Sequence, residues 1–116
     1  MSSSRFALGR IDARRRLVEK QLTAVETRLA DVRSARGDWV DEEHDPEGFS
    51  LTFEWQHAEG ARAEGRRELA ELDAAEARVR DGSYGTCAVC GSAIPDAQLE
   101  IRPARTVCVA CAERRR

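Results

Sequence analysis

The four cysteines of this 116-residue chain fall in two pairs, Cys87-x2-Cys90 and Cys108-x2-Cys111, with 17 residues between Cys90 and Cys108. Two residues between cysteines let both sulfurs of a pair face inward, and two such pairs supply the four ligands that tetrahedral zinc takes at about 2.3 Å. A spacer of about 15–20 residues is the range of four-cysteine zinc sites. Gly91, directly after Cys90, suits the tight turn of such a knuckle. The pattern therefore predicts one Zn2+ held by Cys87, Cys90, Cys108 and Cys111. Four thiolates close the coordination shell to water, so the metal is expected to be structural rather than catalytic. A dithiol–disulfide redox pair is the competing use of CxxC, but it needs a βαβ context that a stretch of about 30 residues cannot supply.

The segment around the cysteines is poor in apolar side chains: Tyr84, Val89, Ile94, Leu99, Ile101, Val107 and Val109. So small a set cannot hold a fold by burial alone, and metal-binding energy is expected to be its folding energy.

The remainder reads as helix. Charged residues make up 34% of the chain and aromatics 5%, too little apolar bulk for a large core but typical of long helices that bury a narrow stripe. Over residues 5 to about 36, Ile11, Val18, Val25 and Val32 recur every seven residues, with Leu8, Leu22 and Leu29 at the complementary positions and Arg15 and Arg36 interrupting. This is a coiled-coil seam, β-branched at a and mostly Leu at d. A second helix is predicted from roughly 50 to 80, its seam running through Trp55, Ala58, Gly65, Leu69, Leu72 and Val79, with Arg62 and Glu76 at weaker positions. Gly37, Pro46 and Gly48 lie in the segment between, short enough for the second helix to fold back antiparallel on the first. Equal distance from the turn would set Leu72 near Val18, Leu69 near Leu22 and Gly65 near Val25. Gly60 and Gly65 either allow close helix contact opposite Val25 and Val32 or mark a flexible spot. Asp81-Gly82 ends the helix. The expected fold is mainly α: an antiparallel two-helix hairpin over residues 1–80, then a four-cysteine finger with a basic tail over 81–116.

Charge is unevenly placed. Residues 1–36 carry nine basic and four acidic side chains, whereas residues 37–50 carry six acids (Asp38, Asp41, Glu42, Glu43, Asp45, Glu47) and no Lys or Arg. Solvated helix faces would explain this as well as a binding surface would. Trp39, Phe49, Phe53 and Trp55 bracket the acidic stretch and are expected to close the hairpin end, with an exposed Trp39 as interface anchor the alternative. The N-terminus lacks the apolar run of a secretory signal and no window approaches the ~18 apolar residues of a membrane span, so the protein is expected in the cytoplasm.

The run Gly82-Ser83-Tyr84-Gly85-Thr86-Cys87-Ala88-Val89-Cys90-Gly91, followed by Ile94-Pro95, Leu99, Pro103 and Cys108-x2-Cys111, resembles the DksA/TraR zinc-finger family. The motif covers residues 81–111, and the hairpin before it agrees with the family's antiparallel coiled coil. The family usually has an Arg before the Leu of the middle segment, where this chain has Gln98; that departure is expected to remove a basic surface contact and leave the fold alone. The resemblance implies a protein that binds RNA polymerase rather than DNA. It also implies a coiled-coil tip inserted through the secondary channel, where acidic residues alter initiation complexes, often with the alarmone ppGpp. Against the family's D-x-x-D-x-A tip motif, Asp38-Trp39-Val40-Asp41-Glu42-Glu43 has the two acids but Glu43 in place of the alanine. Counting back from Cys87 favours Asp45 and Glu47 instead. Neither version reproduces the full motif.

Two other classes stand beside this one. Direct nucleic-acid binding by the finger is disfavoured because residues 81–116 carry only five basic against four acidic side chains, although the Arg114-Arg115-Arg116 tail and the basic first helix speak for it. A coiled-coil adaptor for another protein would show the same heptads. An enzyme is disfavoured by the closed zinc shell and the lack of a Gly-rich phosphate loop or a nucleophile–base pair. A hairpin that satisfies its own seam suggests a monomer.

Overall fold

The computed structural model describes residues 4–38 and 46–115, with side chains described over 4–35 and 52–115. Four helices follow in order: α1 (Ser4–Asp38), α2 (Pro46–Asp81), α3 (Asp96–Ile101) and α4 (Val109–Arg114). Among the described residues the β structure is an isolated antiparallel bridge between Thr86 and Ala93. No helix of the described residues is long and apolar enough to cross a membrane.

Both long helices outrun their expected ends. α2 begins at Pro46 rather than near residue 50. Proline suits the first helical position, where its missing N–H would have no intrahelical partner and its fixed φ is already helical. Pro46 and Gly48 therefore belong to α2 and Gly37 to α1, not to the connection.

The chain divides into two compact units, one of residues 1–17 with 68–116 and one of residues 18–67. In the second unit, α1 buries Val18, Leu22, Leu29 and Val32, and α2 buries Ala58. The contacts run antiparallel: Leu22 packs against Gly65, and further along α1 Arg28 Nε donates to Glu54 Oε1 at 2.8 Å. Gly65 thus faces Leu22, not Val25 as equal spacing from the turn would have it. The earlier start of α2 moves the midpoint of the connection toward the N-terminus, and the register slides with it. Gly65 is a point of close approach, whereas nothing lies within 4 Å of where a Cβ at Gly60 would sit.

In the first unit α1 buries Ala7 and Ile11, and α2 buries Leu72, Ala75 and Val79. Ala75 takes the seam position expected of Glu76, which stays partly exposed and accepts from Arg15 Nη2 at 3.1 Å. Ala7 is likewise buried, while Leu8 is only half-buried. Small residues fill the seam at these points, and Glu76 lies beside it paired with Arg15.

Of the aromatic cluster expected at the hairpin end, Trp39 and the side chain of Phe49 lie outside the described residues. Phe53 is 69% exposed, and Trp55 lies under the guanidinium of Arg33, 5.4 Å from the ring centre.

Candidate metal centre

The finger starts where α2 stops. Gly82 has φ +86°, a left-handed conformation that costs glycine nothing. Its N–H donates to Val79 O while Ser83 N–H donates to Arg78 O at 3.0 Å. These are the two bonds of a Schellman cap, satisfying carbonyls that the helix end would otherwise leave unpaired. Tyr84 N–H reaches Arg78 O as well, and the Arg78 guanidinium donates to Ala104 O at 3.2 Å. Arg78 therefore grips the finger with its carbonyl and its side chain.

Residues 85–94 form a tight hairpin around the first cysteine pair. Ile94 N–H donates to Gly85 O at 2.7 Å, Cys87 N–H to Ser92 O at 2.8 Å, and Gly91 N–H to Cys87 O at 2.9 Å. Gly91 has φ +75°, so the turn uses the glycine that the sequence places there. Ala88 N–H donates to Thr106 O at 2.8 Å, fastening the hairpin to the strand of chain that leads into the second pair. That pair is presented by α4, with Cys108 capping the helix and Cys111 on its first turn. The core beneath consists of Cys87, Ile94, Leu99 and Cys111, with Tyr84, Val107 and Cys108 packed against it. Tyr84 is anchored by its hydroxyl, which donates to Pro103 O at 2.8 Å.

The Sγ atoms of Cys87, Cys90, Cys108 and Cys111 all lie within 4.8 Å of one another. A tetrahedron of Zn–S bonds of about 2.3 Å has sulfur–sulfur edges of about 3.8 Å, so the cluster closes on a metal with small shifts. Cys87 and Cys111 are buried and Cys90 is exposed. All four thiols are unbridged.

The surroundings favour negative sulfur. Cys87 Sγ accepts from the backbone N–H groups of Val89 at 3.4 Å, Cys90 at 3.5 Å and Cys108 at 3.4 Å. Bonds from Cys90 and Cys108 pull the Cys87 thiol down to about 6. The Cys111 thiol is pushed up to about 11, first by its hydrogen bond with Cys108 and then by burial. Four sulfurs this close share their protons and cannot all ionise without a cation. A divalent metal supplies that charge, and a coordinating thiol is deprotonated outright. The donor set and its polarisation fit zinc.

Two further residues shape the site without being visible as ligands. Gln98 on α3 accepts with Oε1 from the Val109 N–H at 3.0 Å, fixing the start of α4 between the two cysteines of the second pair. Gln98 thus does more than line the surface, because its amide caps a helix end that has no side-chain cap from Cys108. Arg114 Nη2 donates to Cys111 Sγ at 3.2 Å. A polar residue beside Leu99 and an arginine three positions after a cysteine were the available signals, and neither has a spacing rule.

Asp41 and Asp45 of the acidic stretch lie outside the described residues, and only the backbones of Asp38 and Glu47 are described, at the last residue of α1 and in the first turn of α2.

The comparisons with known proteins bear on both parts. The family model "Prokaryotic dksA/traR C4-type zinc finger" matches residues 82–116. That match takes in all four cysteines. The chain is 45% identical over 49 residues to RNA polymerase-binding transcription factor DksA from two strains of Caulobacter vibrioides, NA1000 / CB15N and ATCC 19089 / CIP 103742 / CB 15. Each match takes in 42% of this chain and 34% of the relative, so it spans about a third of the relatives' own length. The structure of transcription factor DksA2 from Pseudomonas aeruginosa is similar in fold, with a TM-score of 0.54 and 23% identity, covering 92% of this chain and 83% of that one. The likeness is one of fold and takes in most of this chain, two long helices packed together with four cysteines clustered after them.

Proposed function

We propose that this chain binds RNA polymerase and regulates transcription, with the end of the α1–α2 pair entering the secondary channel and the finger acting as a zinc-stapled base. In this reading residues 1–80 are the arm, about 37–50 its acidic tip, and 81–116 the finger and basic tail. Cys87, Cys90, Cys108 and Cys111 hold one Zn2+, which supplies folding energy and no reaction. The observation that carries the reading is the finger, which follows directly on a long helical pair and matches the C4-type zinc-finger model, in a chain 45% identical over 49 residues to proteins named as RNA polymerase-binding transcription factors.

The tip carries six acids and no basic residue. Carboxylates delivered near a polymerase active site would act on bound cations and on the nucleic acid through charge, at short range. Asp45 and Glu47 are the acids assigned that role, with Asp38 and Asp41 behind them.

The test is a pull-down with purified core RNA polymerase, using the zinc-loaded protein and its Asp45→Asn/Glu47→Gln variant, with transcription in vitro alongside. Retention of both, with an effect on transcription from the unsubstituted protein alone, is the expected result. Absence of binding by either would remove polymerase as the partner. Equal transcriptional effects from both would remove Asp45 and Glu47 as the acting residues.

A further inference from the structure

We propose that Arg114 carries part of the charge of the Cys111 sulfur in the zinc-loaded finger and thereby sets how tightly this finger retains its metal. The proposal rests on the reading of the four cysteines as zinc ligands.

Four thiolates around one Zn2+ leave a net charge of −2 in a site whose two deepest sulfurs, on Cys87 and Cys111, have only 2% and 1% of their residues' surface in water. Charge removed from water must be met by donors inside the protein. The two sulfurs are provided for differently. Cys87 receives three backbone N–H groups, an arrangement built into the hairpin and indifferent to side-chain identity. Cys111 instead receives the guanidinium of Arg114 at 3.2 Å. The two residues lie three apart on α4, a spacing that places side chains side by side on one helix face. A guanidinium donor is charged, and a charge-assisted bond is roughly twice as strong as a neutral one.

Hydrogen bonds to a ligand from the surrounding shell orient it and tune the metal, and their loss commonly lowers metal affinity by about 10–100-fold. For an exposed arginine the low end applies. The contact also has a direction. It draws electron density from the sulfur, so it damps the sulfur's reactivity while leaving the metal-bound state favoured by charge.

Zinc affinity is measured by competition with a chromogenic chelator, on the full chain, for the unsubstituted protein and for Arg114→Ala, Arg114→Lys and Arg115→Ala. Arg114→Ala is expected to bind zinc about tenfold more weakly, Arg114→Lys to recover most of that loss, and Arg115→Ala to match the unsubstituted protein. The Co2+-loaded proteins supply a second readout: the sulfur-to-metal charge-transfer band of Arg114→Ala moves to lower energy, which a merely structural defect would not produce. Far-UV circular dichroism confirms that each variant keeps its helices. Equal affinity and an unmoved band in Arg114→Ala would overturn the proposal, as would an equal loss in Arg115→Ala. A chain that binds no zinc at all would overturn instead the ligand reading on which it rests.

Discussion

Gly65 of α2 lies so close to Leu22 of α1 that a Cβ on the glycine would stand 2.8 Å from Leu22 Cδ2 and 2.9 Å from its Cγ. A side chain there forces Leu22 to move. Gly65→Ala is expected to destabilise the protein by about 1–2 kcal/mol, the strain of overpacking outweighing the roughly 1 kcal/mol gained in helix propensity. Gly60→Ala meets nothing within 4 Å, so it keeps the propensity gain and stabilises by up to about 1 kcal/mol. Urea denaturation of the two variants should give midpoints displaced in opposite directions; displacements of the same sign would show that Gly65 is not a packing point.

Glu68 accepts from Arg14 Nε at 2.5 Å and from its Nη2 at 2.8 Å. The hydrogen bond from Arg14 is the main cause holding the Glu68 carboxyl below the usual range. A group whose folded pKa is depressed stabilises above its unfolded pKa, about 4.3 for Glu, and that contribution is lost as pH falls through the folded value. Both side chains are about a third exposed, so the contribution is expected to be about 1 kcal/mol or less. At a pH below the depressed folded value of Glu68, Glu68→Gln should unfold at the same temperature as the unsubstituted protein, and at pH 7 a few degrees lower. A gap that persisted at low pH would assign the loss to packing rather than charge.

Removing zinc should unfold residues 84–112 and leave much of α1 and α2 in place. The finger's core cluster buries Ile94 and Leu99 beside two cysteines, far short of what a fold of that length needs without metal. Hydrogen exchange before and after complete chelation reads this directly. Unchanged protection across the finger would contradict it.

Gln98→Ala leaves the Val109 N–H without its acceptor and is expected to cost about 1 kcal/mol, within the range of a lost helix cap. The loss should appear as a finger that opens at lower chelator concentration. The stability of Leu22–Gly65 packing, followed by urea denaturation of α1 and α2, should not move. An unaltered chelator midpoint would show that water replaces the amide without penalty.

The metal site was legible because cysteine spacing is a geometric code: two CxxC turns with a fixed spacer leave little freedom for anything but a tetrahedron of sulfur. The helices were legible through heptad recurrence, which places Ile11, Val18, Leu22, Leu29 and Leu72 in the buried seam where the structure has them. The register was not. It depended on where α2 begins, and Pro46 reads equally well as a loop breaker or as the first residue of a helix. The seam positions Ala7 and Ala75 escaped because alanine carries little hydrophobic signal and becomes a core residue only once a partner backbone comes near. Gln98 and Arg114 escaped for a different reason. Each acts through one hydrogen bond to an atom brought close by folding, and no local pattern announces such a pairing.

The Schellman cap and the knuckle hairpin adjoin with no residue between them, Ser83 and Tyr84 being bonded back to Arg78 and Gly85 already paired with Ile94. No spacer separates helix from finger, so the junction behaves as a fixed-length splice. One residue inserted between Gly82 and Gly85 would break either the cap or the hairpin. Whole heptads added to α1 and α2 would leave this joint untouched, whereas a single insertion at the joint itself costs either the helix end or the first cysteine pair its backbone bonds.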